Sequence, residues 1–199
     1  MKRNIKRVAV IGSGVMGSRI ACHFANVGLD VLLLDIVPKE AKESTNKMAR
    51  NKIVNDALKA SLKSNPSPIY SKSYASRITT GNLEDDIHLI SKADWIIEVV
   101  VERLDIKQIV FGNIEKHRKP GTIISSNTSG IPIHMMLEGR SEDFQKHFLG
   151  THFFNPPRYL KLFEVIPTPK TDPAVVDFLM EYGSKILGKT TVLAKDTPA

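Results

Sequence analysis

The stretch Val8-Ala-Val-Ile-Gly-Ser-Gly-Val-Met-Gly17 decides the fold of the chain, and a second apolar run, Val31-Leu-Leu-Leu-Asp35, follows it. The first run predicts a buried strand, the glycines predict a tight turn, and the apolar positions that come next have the period of a helix. A strand, a helix and a second strand in this order form a βαβ unit. The sequence therefore predicts an α/β fold that begins with two parallel strands.

The three glycines and the acid at the end of the second run predict a dinucleotide site. Gly12 permits the tight turn, Gly14 lets the backbone approach a pyrophosphate, and Gly17 lets the helix pack closely on the strand. The helix N-terminus offers unpaired N–H groups to a phosphate. Asp35 follows at roughly the 20-residue spacing at which an acid meets a ribose 2′-OH, where it would repel a 2′-phosphate. Because a Gly-rich turn alone recurs by chance, the full order of elements carries the prediction of NAD rather than NADP.

Composition places the chain among ordinary globular proteins and limits its partners. Its 199 residues, 42% hydrophobic and 25% charged, suffice for one domain with a genuine core. The only cysteine, Cys22, permits no intrachain disulfide, which fits a reducing compartment. The sequence has no signal peptide and no apolar run of membrane-spanning length. We therefore expect a cytoplasmic protein with no membrane span. The net charge of +7 favours anionic partners. A nucleic-acid partner rests on that charge alone, and we do not expect one.

Alternating strands and helices predict a doubly wound, Rossmann-type and mostly parallel sheet. We also expect a long helical insertion after the second strand and antiparallel strands near the C-terminus, where residues 161–166 and 190–194 form apolar runs. Predicted strands lie near 6–11, 30–35, 77–80, 94–101, 121–126 and 148–153. Predicted helices lie near 15–27, 38–63, 84–91, 104–117, 131–137 and 172–187.

Polar residues follow two of the predicted central strands. Glu102 comes directly after the apolar run Trp95-Ile-Ile-Glu-Val-Val-Val101, and Asn127-Thr-Ser-Gly130 follows Thr122-Ile-Ile-Ser-Ser126. Doubly wound folds bind their ligands at the carboxyl ends of the strands. Both polar groups are therefore predicted to lie on the ligand side of the sheet.

Of the six histidines, His152 has a pattern that suggests chemistry. The others have no acid, cysteine or metal-ligand pattern around them, and no H-E-x-x-H motif occurs, so a metal site has no support. His152 lies near the carboxyl end of a predicted strand, and Glu164 lies in the apolar run that returns from it. Such a pair is the usual form of an oriented general base. From spacing alone, a surface histidine beside an unrelated edge-strand glutamate is an equally good reading.

The segment Gly183-Ser-Lys-Ile-Leu-Gly-Lys-Thr190 matches the G-x-x-x-x-G-K-[ST] phosphate loop but has the wrong surroundings. A phosphate loop needs a strand before it and a helix after it. Here an apolar pattern of helical period comes first and a strand follows, so we interpret the segment as a helix C-terminus.

Six motifs occur in order along the chain: Gly12-x-Gly-x-x-Gly17 with Asp35, Ile97-Glu-Val-Val-Val-Glu102, Ser126-Asn-Thr-Ser129, His152-Phe-Phe-Asn-Pro156, Leu162-Phe-Glu-Val165 and Lys195-Asp-Thr-Pro198. Together they resemble the NAD-binding domain of L-3-hydroxyacyl-CoA dehydrogenases, including that of multifunctional fatty-acid oxidation proteins. The resemblance covers essentially the whole chain. It implies the NAD-dependent oxidation of (3S)-3-hydroxyacyl-CoA to 3-oxoacyl-CoA in fatty-acid β-oxidation.

The resemblance also implies roles for single residues. His152 matches the general base that takes the proton of the 3-hydroxyl group, and Glu164 matches the carboxylate that orients its imidazole. Ser129 matches the hydroxyl that bonds the reacting oxygen. The predicted cofactor-binding residues are Gly12, Gly14, Val15, Met16, Gly17, Asp35, Glu102, Lys107, Asn127 and Ser129. Coenzyme A is expected near the basic tract Lys39 to Lys63, which reads equally well as a solvated helix face.

The chain departs from the family pattern at three positions. Arg103 stands where many relatives have Asn, Gly130 where many have Ser, and Ala199 where Gly is usual. Because the family continues into a helical domain that supplies dimer contacts and part of the acyl pocket, we expect residues 1–199 to be the NAD-binding domain of a homo-oligomeric parent that acts on acyl-CoA. We expect this domain alone to be poorly active. A dehydrogenase of a free hydroxy acid and a non-catalytic NAD-binding module stay open as alternatives.

Overall fold

One eight-stranded sheet organises the computed structural model, which describes residues 3–197. Its strands are β1 (Arg7–Ile11), β2 (Asp30–Asp35), β3 (Ile78–Asn82), β4 (Trp95–Glu98), β5 (Ile123–Ser126), β6 (Phe148–Phe153), β7 (Leu162–Pro167) and β8 (Thr190–Leu193). Pro198 and Ala199 lie outside the described residues, and with them lie the end of the sixth motif and the departure at position 199.

The strand order β3-β2-β1-β4-β5-β6-β7-β8 confirms the predicted doubly wound sheet. Strands β1 to β6 pair in parallel, β7 is antiparallel to β6, and β8 is parallel to β7. The two strands near the C-terminus therefore run against the other six, as the sequence predicts. The direction of winding reverses between β1 and β4, and such a reversal opens a crevice at the carboxyl ends of the strands.

Helices cover both faces of the sheet. The α-helices are α1 (Val15–Asn26), α2 (Lys47–Arg50), α3 (Lys52–Leu62), α4 (Leu104–His117), α5 (Glu142–Lys146) and α6 (Pro173–Lys185). Helices α1, α3 and α6 contribute to one buried cluster, in which Phe24 packs edge-on against Trp95. Helices α4 and α5 contribute to the second cluster, in which Phe111 packs on Phe148. Two cores of this kind hold the central strands as a rigid platform for the crevice.

The predicted helix over 38–63 is wrong as one continuous element. The segment consists of a 3-10 turn, Lys39–Ala41, followed by α2 and α3. The Asn46 side chain accepts hydrogen bonds from the N–H groups of Met48 and Ala49 and so begins α2. Asparagine competes with the helical backbone for hydrogen bonds, which favours a helix start over a helix interior. The helices predicted near 84–91 and 131–137 are likewise 3-10 turns, at Ile87–Lys92 and Ile133–Leu137.

The fourth strand ends at Glu98 and not at residue 101 as predicted. The carboxylate of Glu98 accepts a hydrogen bond from the N–H of Val100 at 2.6 Å. This N–H group is therefore not available for hydrogen bonding to a neighbouring strand. Glu102 consequently lies in the loop before α4 and not directly at the end of the strand. The apolar run continues past Glu98, which is why its length misled the prediction.

Candidate active site at the carboxyl ends of the strands

Close backbone approach explains two of the three glycines in the first turn. Gly12 has a φ of +101°, and a Cβ there would lie 2.6 Å from the carbonyl oxygen of Val99. A Cβ on Gly17 would lie 1.8 Å from the carbonyl oxygen of Gly12. At Gly14 a Cβ would meet nothing within 4 Å, so this position faces open space. The turn thus packs tightly on its β4 side and leaves room at Gly14 for a ligand.

The first turn of α1 has donors to offer to that space. Gly14 is its N-cap residue, and within residues 3–197 no side chain caps it and no acid lies in its first turn. Val15 is exposed, while Met16 is half-buried and packs against the first core cluster. The open position at Gly14 and the uncapped helix N-terminus fit the pyrophosphate of a dinucleotide, as in other Gly-rich phosphate sites.

Asp35 ends β2 beside the glycine turn and is held by backbone donors. Its Oδ2 accepts hydrogen bonds from the N–H and the hydroxyl of Ser13, at 2.6 and 2.5 Å, and its Oδ1 accepts one from the N–H of Ile36 at 2.7 Å. A carboxylate offers about four acceptor positions, so capacity remains for a ribose hydroxyl. Ser13 was not predicted as a site residue, because its place between two of the glycines is its only signal in the sequence.

A buried ion pair lies beneath the crevice. Lys107 Nζ is 2.8 Å from Glu98 Oε1 and 3.2 Å from Glu102 Oε2, and the side chains of Lys107 and Glu98 are 1% and 0% exposed. The hydroxyl of Ser126 donates to Glu98 as well, at 2.6 Å. Lys107 is therefore buried, and Glu102 connects it to the surface of the crevice. The predicted contact of Lys107 with the cofactor stays a prediction. Glu98 was missed because it lies within an apolar run.

Glu102 organises the loop that follows β5. Its Oε1 accepts hydrogen bonds from the Thr128 hydroxyl and from the N–H groups of Ser129 and Gly130, the latter two at 3.3 and 3.1 Å. Burial raises the pKa of the carboxyl group, but the hydrogen bonds of Thr128 and Gly130 and the charge of Lys107 outweigh it and lower the pKa of Glu102. The ionised Glu102 thus binds the backbone of Ser129 and holds the loop that carries this predicted site residue.

His152 and Glu164 are brought together by the sheet itself. They are register partners on β6 and β7, and His152 Nδ1 lies 2.8 Å from Glu164 Oε2. Both side chains are partly open to solvent, at 19% and 29% exposure. Since Nδ1 is engaged by the carboxylate, Nε2 is the nitrogen that can exchange a proton with a substrate. The ring of Phe154 packs on the imidazole with 4.4 Å between centroids.

Two further contacts connect the His152 strand to its neighbours. Asn127 Oδ1 accepts a hydrogen bond from the N–H of Phe153 at 2.8 Å, which ties the loop after β5 to the end of β6. Arg19 on α1 donates to Asn155 Oδ1 at 2.7 Å, which ties the glycine-turn helix to the chain after β6. Between residues 3 and 197 no hydrogen bond joins Ser129 to His152. Asn155 had no signal in the sequence beyond its place in the His152–Pro156 motif, and Arg19 had none.

The basic tract Lys39 to Lys63 contains several cations with acidic partners. Arg50 binds Glu84 and Asp85 at 2.9 and 2.7 Å, and Lys47 lies 3.6 Å from Asp86. A groove of about 270 Å³ separates α3 from α1, and its lining includes Ser13, Gly14, Val15, Ser18, Arg19, Ala57, Ala60, Ser61 and Ser64. The groove begins at the glycine turn, on the side where the resemblance places coenzyme A.

Within the described part of the chain, two other classes of site are absent. No helix there is long and apolar enough to cross a membrane. No group of three or more His, Cys, Asp or Glu side chains there is arranged to hold a metal ion.

The strand order, the glycine turn at the point of reversal and the acid that ends β2 define a Rossmann-type dinucleotide-binding domain. Residues 7–197 match the model of the 3-hydroxyacyl-CoA dehydrogenase, NAD binding domain, and the chain belongs to this family. The predicted family and the prediction of NAD as cofactor are thereby confirmed.

Relatives of several kinds carry the same domain. The chain is 52% identical to a probable 3-hydroxyacyl-CoA dehydrogenase of Bacillus subtilis, with 100% of the chain and 26% of the relative covered. It is 49% identical to a probable 3-hydroxyacyl-CoA dehydrogenase of Deinococcus radiodurans, with 98% and 54% covered. A putative fatty acid oxidation complex trifunctional enzyme of Rickettsia felis is 41% identical, with 100% and 27% covered. The chain thus spans about a quarter to about half of these relatives.

Solved structures share the fold over nearly the whole chain. FadB2 of M. tuberculosis superposes with a TM-score of 0.76 and 30% identity, over 98% of this chain and 65% of that one. The 3-hydroxybutyryl-CoA dehydrogenase of Escherichia coli superposes with a TM-score of 0.75 and 31% identity, over 98% of this chain and 39% of that one.

Proposed function

We propose that this chain is the NAD-binding domain of an enzyme that oxidises (3S)-3-hydroxyacyl-CoA to 3-oxoacyl-CoA in fatty-acid β-oxidation. The observation that carries the proposal is the pairing of His152 with Glu164 at 2.8 Å, on strands whose ends adjoin the crevice of the glycine turn. Relatives that are named as 3-hydroxyacyl-CoA dehydrogenases or as parts of a fatty acid oxidation complex support the substrate class and the pathway. A cytoplasmic location and a larger oligomeric parent stay predictions.

Each polar group of the site has a part in this reaction. NAD held by the glycine turn and Asp35 would supply the acceptor for the hydride that leaves C3. His152 Nε2 takes the proton of the 3-hydroxyl group while Glu164 holds Nδ1–H and stabilises the imidazolium that forms. Ser129 donates a hydrogen bond to the reacting oxygen from a loop that Glu102 holds in place. Asp35 binds the ribose hydroxyls and favours NAD over NADP.

The central experiment titrates the chain with NADH and NADPH by fluorescence and then adds acetoacetyl-CoA. We expect NADH to bind about tenfold or more tightly than NADPH, equivalent to roughly 1.4 kcal/mol or more. We expect slow oxidation of bound NADH by acetoacetyl-CoA in this domain alone, at a rate that depends on His152. A free 3-oxo acid that reacts equally well indicates a hydroxy-acid dehydrogenase instead. NADH binding without any oxidation, in the full-length parent as well as in this chain, indicates a non-catalytic NAD-binding module.

His152→Ala tests the proton-transfer role in the same assay. A positioned base typically contributes 10²–10⁴-fold, so the variant should lose roughly that factor in rate and keep its affinity for NADH. His134→Ala is the matched control, because His134 also pairs with a carboxylate, Asp196 Oδ2 at 2.7 Å, but its side chain is mostly exposed and lies outside the proposed site. If both variants lose a similar factor in rate, His152 is not the residue that transfers the proton.

A further inference from the structure

The turn over residues 154–161 joins the strands of His152 and Glu164, and it carries groups that surround the imidazole. Phe154 packs on the His152 ring, and Asn155 binds Arg19 of α1 at 2.7 Å. Strand pairing fixes the backbone positions of His152 and Glu164, but the ring of Phe154 depends on the shape of the turn. Whatever holds the turn therefore influences the orientation of the imidazole.

Lys189 holds this turn from beneath. It comes from the segment that matches a phosphate loop, and the segment follows α6 and precedes β8, as the sequence analysis predicts. Gly188, with a φ of +64°, turns the chain, so the side chain of Lys189 is buried at 6% exposure. Its Nζ donates hydrogen bonds to the carbonyl oxygens of Pro157 and Leu160, the latter at 2.7 Å.

The charged surroundings of Lys189 offer it no carboxylate. Within residues 3–197 no acid lies within ion-pair distance of Nζ, and the other titratable groups that influence it are Lys161 of the turn and His23 of α1. Burial lowers the pKa of Lys189 to about 8, and the charge of Lys161 adds to the effect. Burial also lowers the pKa of His23 to about 4, with Lys189 as the next cause, so His23 is neutral near pH 7.

Two carbonyl oxygens and one aromatic ring thus stabilise this ammonium. The ring is that of Phe153, whose centroid lies 5.7 Å from Nζ. A buried cation without a counter-charge is costly, and hydrogen bonds from a charged donor are about twice as strong as neutral ones. The protonated lysine consequently binds the two carbonyl groups firmly, and the neutral amine binds them weakly.

We propose that Lys189 is a positioning residue for the His152–Glu164 pair, which acts by holding the carbonyl groups of Pro157 and Leu160 so that the turn keeps Phe154 against the imidazole. This proposal rests on the proposed dehydrogenase function. On this proposal the geometry of the His152–Glu164 pair depends on the positive charge of Lys189, although Lys189 takes no part in the reaction itself.

Kinetics of three variants test the proposal across pH 6 to 10, with (3S)-3-hydroxybutyryl-CoA and NAD as substrates. In this direction the neutral imidazole of His152 is the active form, so its own loss of a proton causes no alkaline fall. In the wild type kcat should fall on the alkaline side with a midpoint near the pKa of about 8. Lys189→Met should lower kcat about tenfold at pH 7, leave the KM for NAD within about twofold, and abolish that alkaline fall. Lys189→Arg keeps the charge and should shift the fall to higher pH.

Lys185→Met is the matched control, because Lys185 lies on the exposed side of α6, where it pairs with Glu181. It should reproduce the wild-type profile. A Lys189→Met variant with wild-type kcat and an unchanged alkaline fall overturns the proposal. So does a Lys189→Arg variant whose kcat falls at the same pH as in the wild type.

A second measurement separates this proposal from the proposed function. Nuclear magnetic resonance of the chain with ¹³C-labelled histidine follows the Cε1 signal of His152 without any turnover. The signal should show a further titration step near the pKa of Lys189, about 8, and Lys189→Met should remove it. The absence of this step in the wild type overturns the positioning role even in an active enzyme. Its presence in a chain without dehydrogenase activity supports the positioning role while the proposed function fails.

Discussion

His152 and Glu164 are opposite residues of one antiparallel strand pair, and their side chains meet at 2.8 Å between Nδ1 and Oε2. Their closeness follows from strand register, because side chains that face each other across such a pair have Cβ atoms about 5 Å apart. The neighbouring register pair, Phe153 with Phe163, is fully buried and fixes the alignment from the other face of the sheet. A slip by one residue would separate the imidazole from the carboxylate.

Glu164→Gln should lower the rate of acetoacetyl-CoA reduction by about 10- to 100-fold, because a neutral amide stabilises the imidazolium less well than a carboxylate. The affinity for NADH should stay the same. Glu142→Gln is a suitable control, since Glu142 is exposed and pairs only with Lys146 on the same helix within the described residues. An unchanged rate in Glu164→Gln would show that a side chain at this register position orients His152 without any need for its negative charge.

Asp35→Asn should change the choice of cofactor. The variant keeps one acceptor oxygen, which can serve Ser13 or Ile36 but not both, and it loses the charge that repels a 2′-phosphate. We expect the ratio of the NADPH and NADH dissociation constants to fall by about tenfold or more, which corresponds to roughly 1.4 kcal/mol. Fluorescence titration with both nucleotides measures the ratio. The assignment of Asp35 to the ribose fails if the ratio does not move.

Gly14→Ala and Gly17→Ala should separate ligand binding from stability. A Cβ on Gly17 lies 1.8 Å from the Gly12 carbonyl oxygen, so the helix must shift away and the protein should lose about 1–3 kcal/mol of unfolding free energy. A Cβ on Gly14 meets nothing within 4 Å, so the fold should stay intact while NADH binding weakens. Chemical denaturation and NADH titration of both variants check this pattern. Gly14→Ala with wild-type affinity for NADH would place the pyrophosphate elsewhere.

Local patterns predicted the parts of the fold that depend on neighbouring residues. The turn at Gly12, the acid at Asp35 and the rejected phosphate loop at Lys189 were all readable because each depends on a short segment and its flanking elements. The division of the 38–63 segment was missed although it is also local, because Asn46, a residue type that favours helix starts, was not used as a signal. Lys189 was assigned only to a helix end, since its contacts lie about 30 positions away in sequence.

The pair of Glu98 and Lys107 illustrates a second limit of sequence reading. The apolar run of residues 95–101 identifies β4 as a buried strand, and a glutamate inside such a run carries no sign that a lysine from α4 will neutralise it. Only the packing of α4 against the end of β4 brings the two charges together. The resemblance to a family supplied Lys107, whereas nothing in the sequence supplied its partner.

Glu98→Gln should destabilise the fold, because it leaves the ammonium of Lys107 buried with Glu102 as its remaining counter-charge at 3.2 Å. Breaking a buried pair from one side typically costs about 3–5 kcal/mol, and the contact with Glu102 places the expected loss at the lower end, about 3 kcal/mol. Replacing both partners, with Glu98→Gln and Lys107→Met together, should restore much of the lost stability because no unpaired charge remains buried. Urea denaturation of the single and double variants measures both values.

A double variant no more stable than Glu98→Gln alone would mean that the shape of the pair matters more than its charge. In that case the loop of Ser129, which Glu102 anchors, should lose its order in both variants, and NADH affinity should fall in parallel with stability.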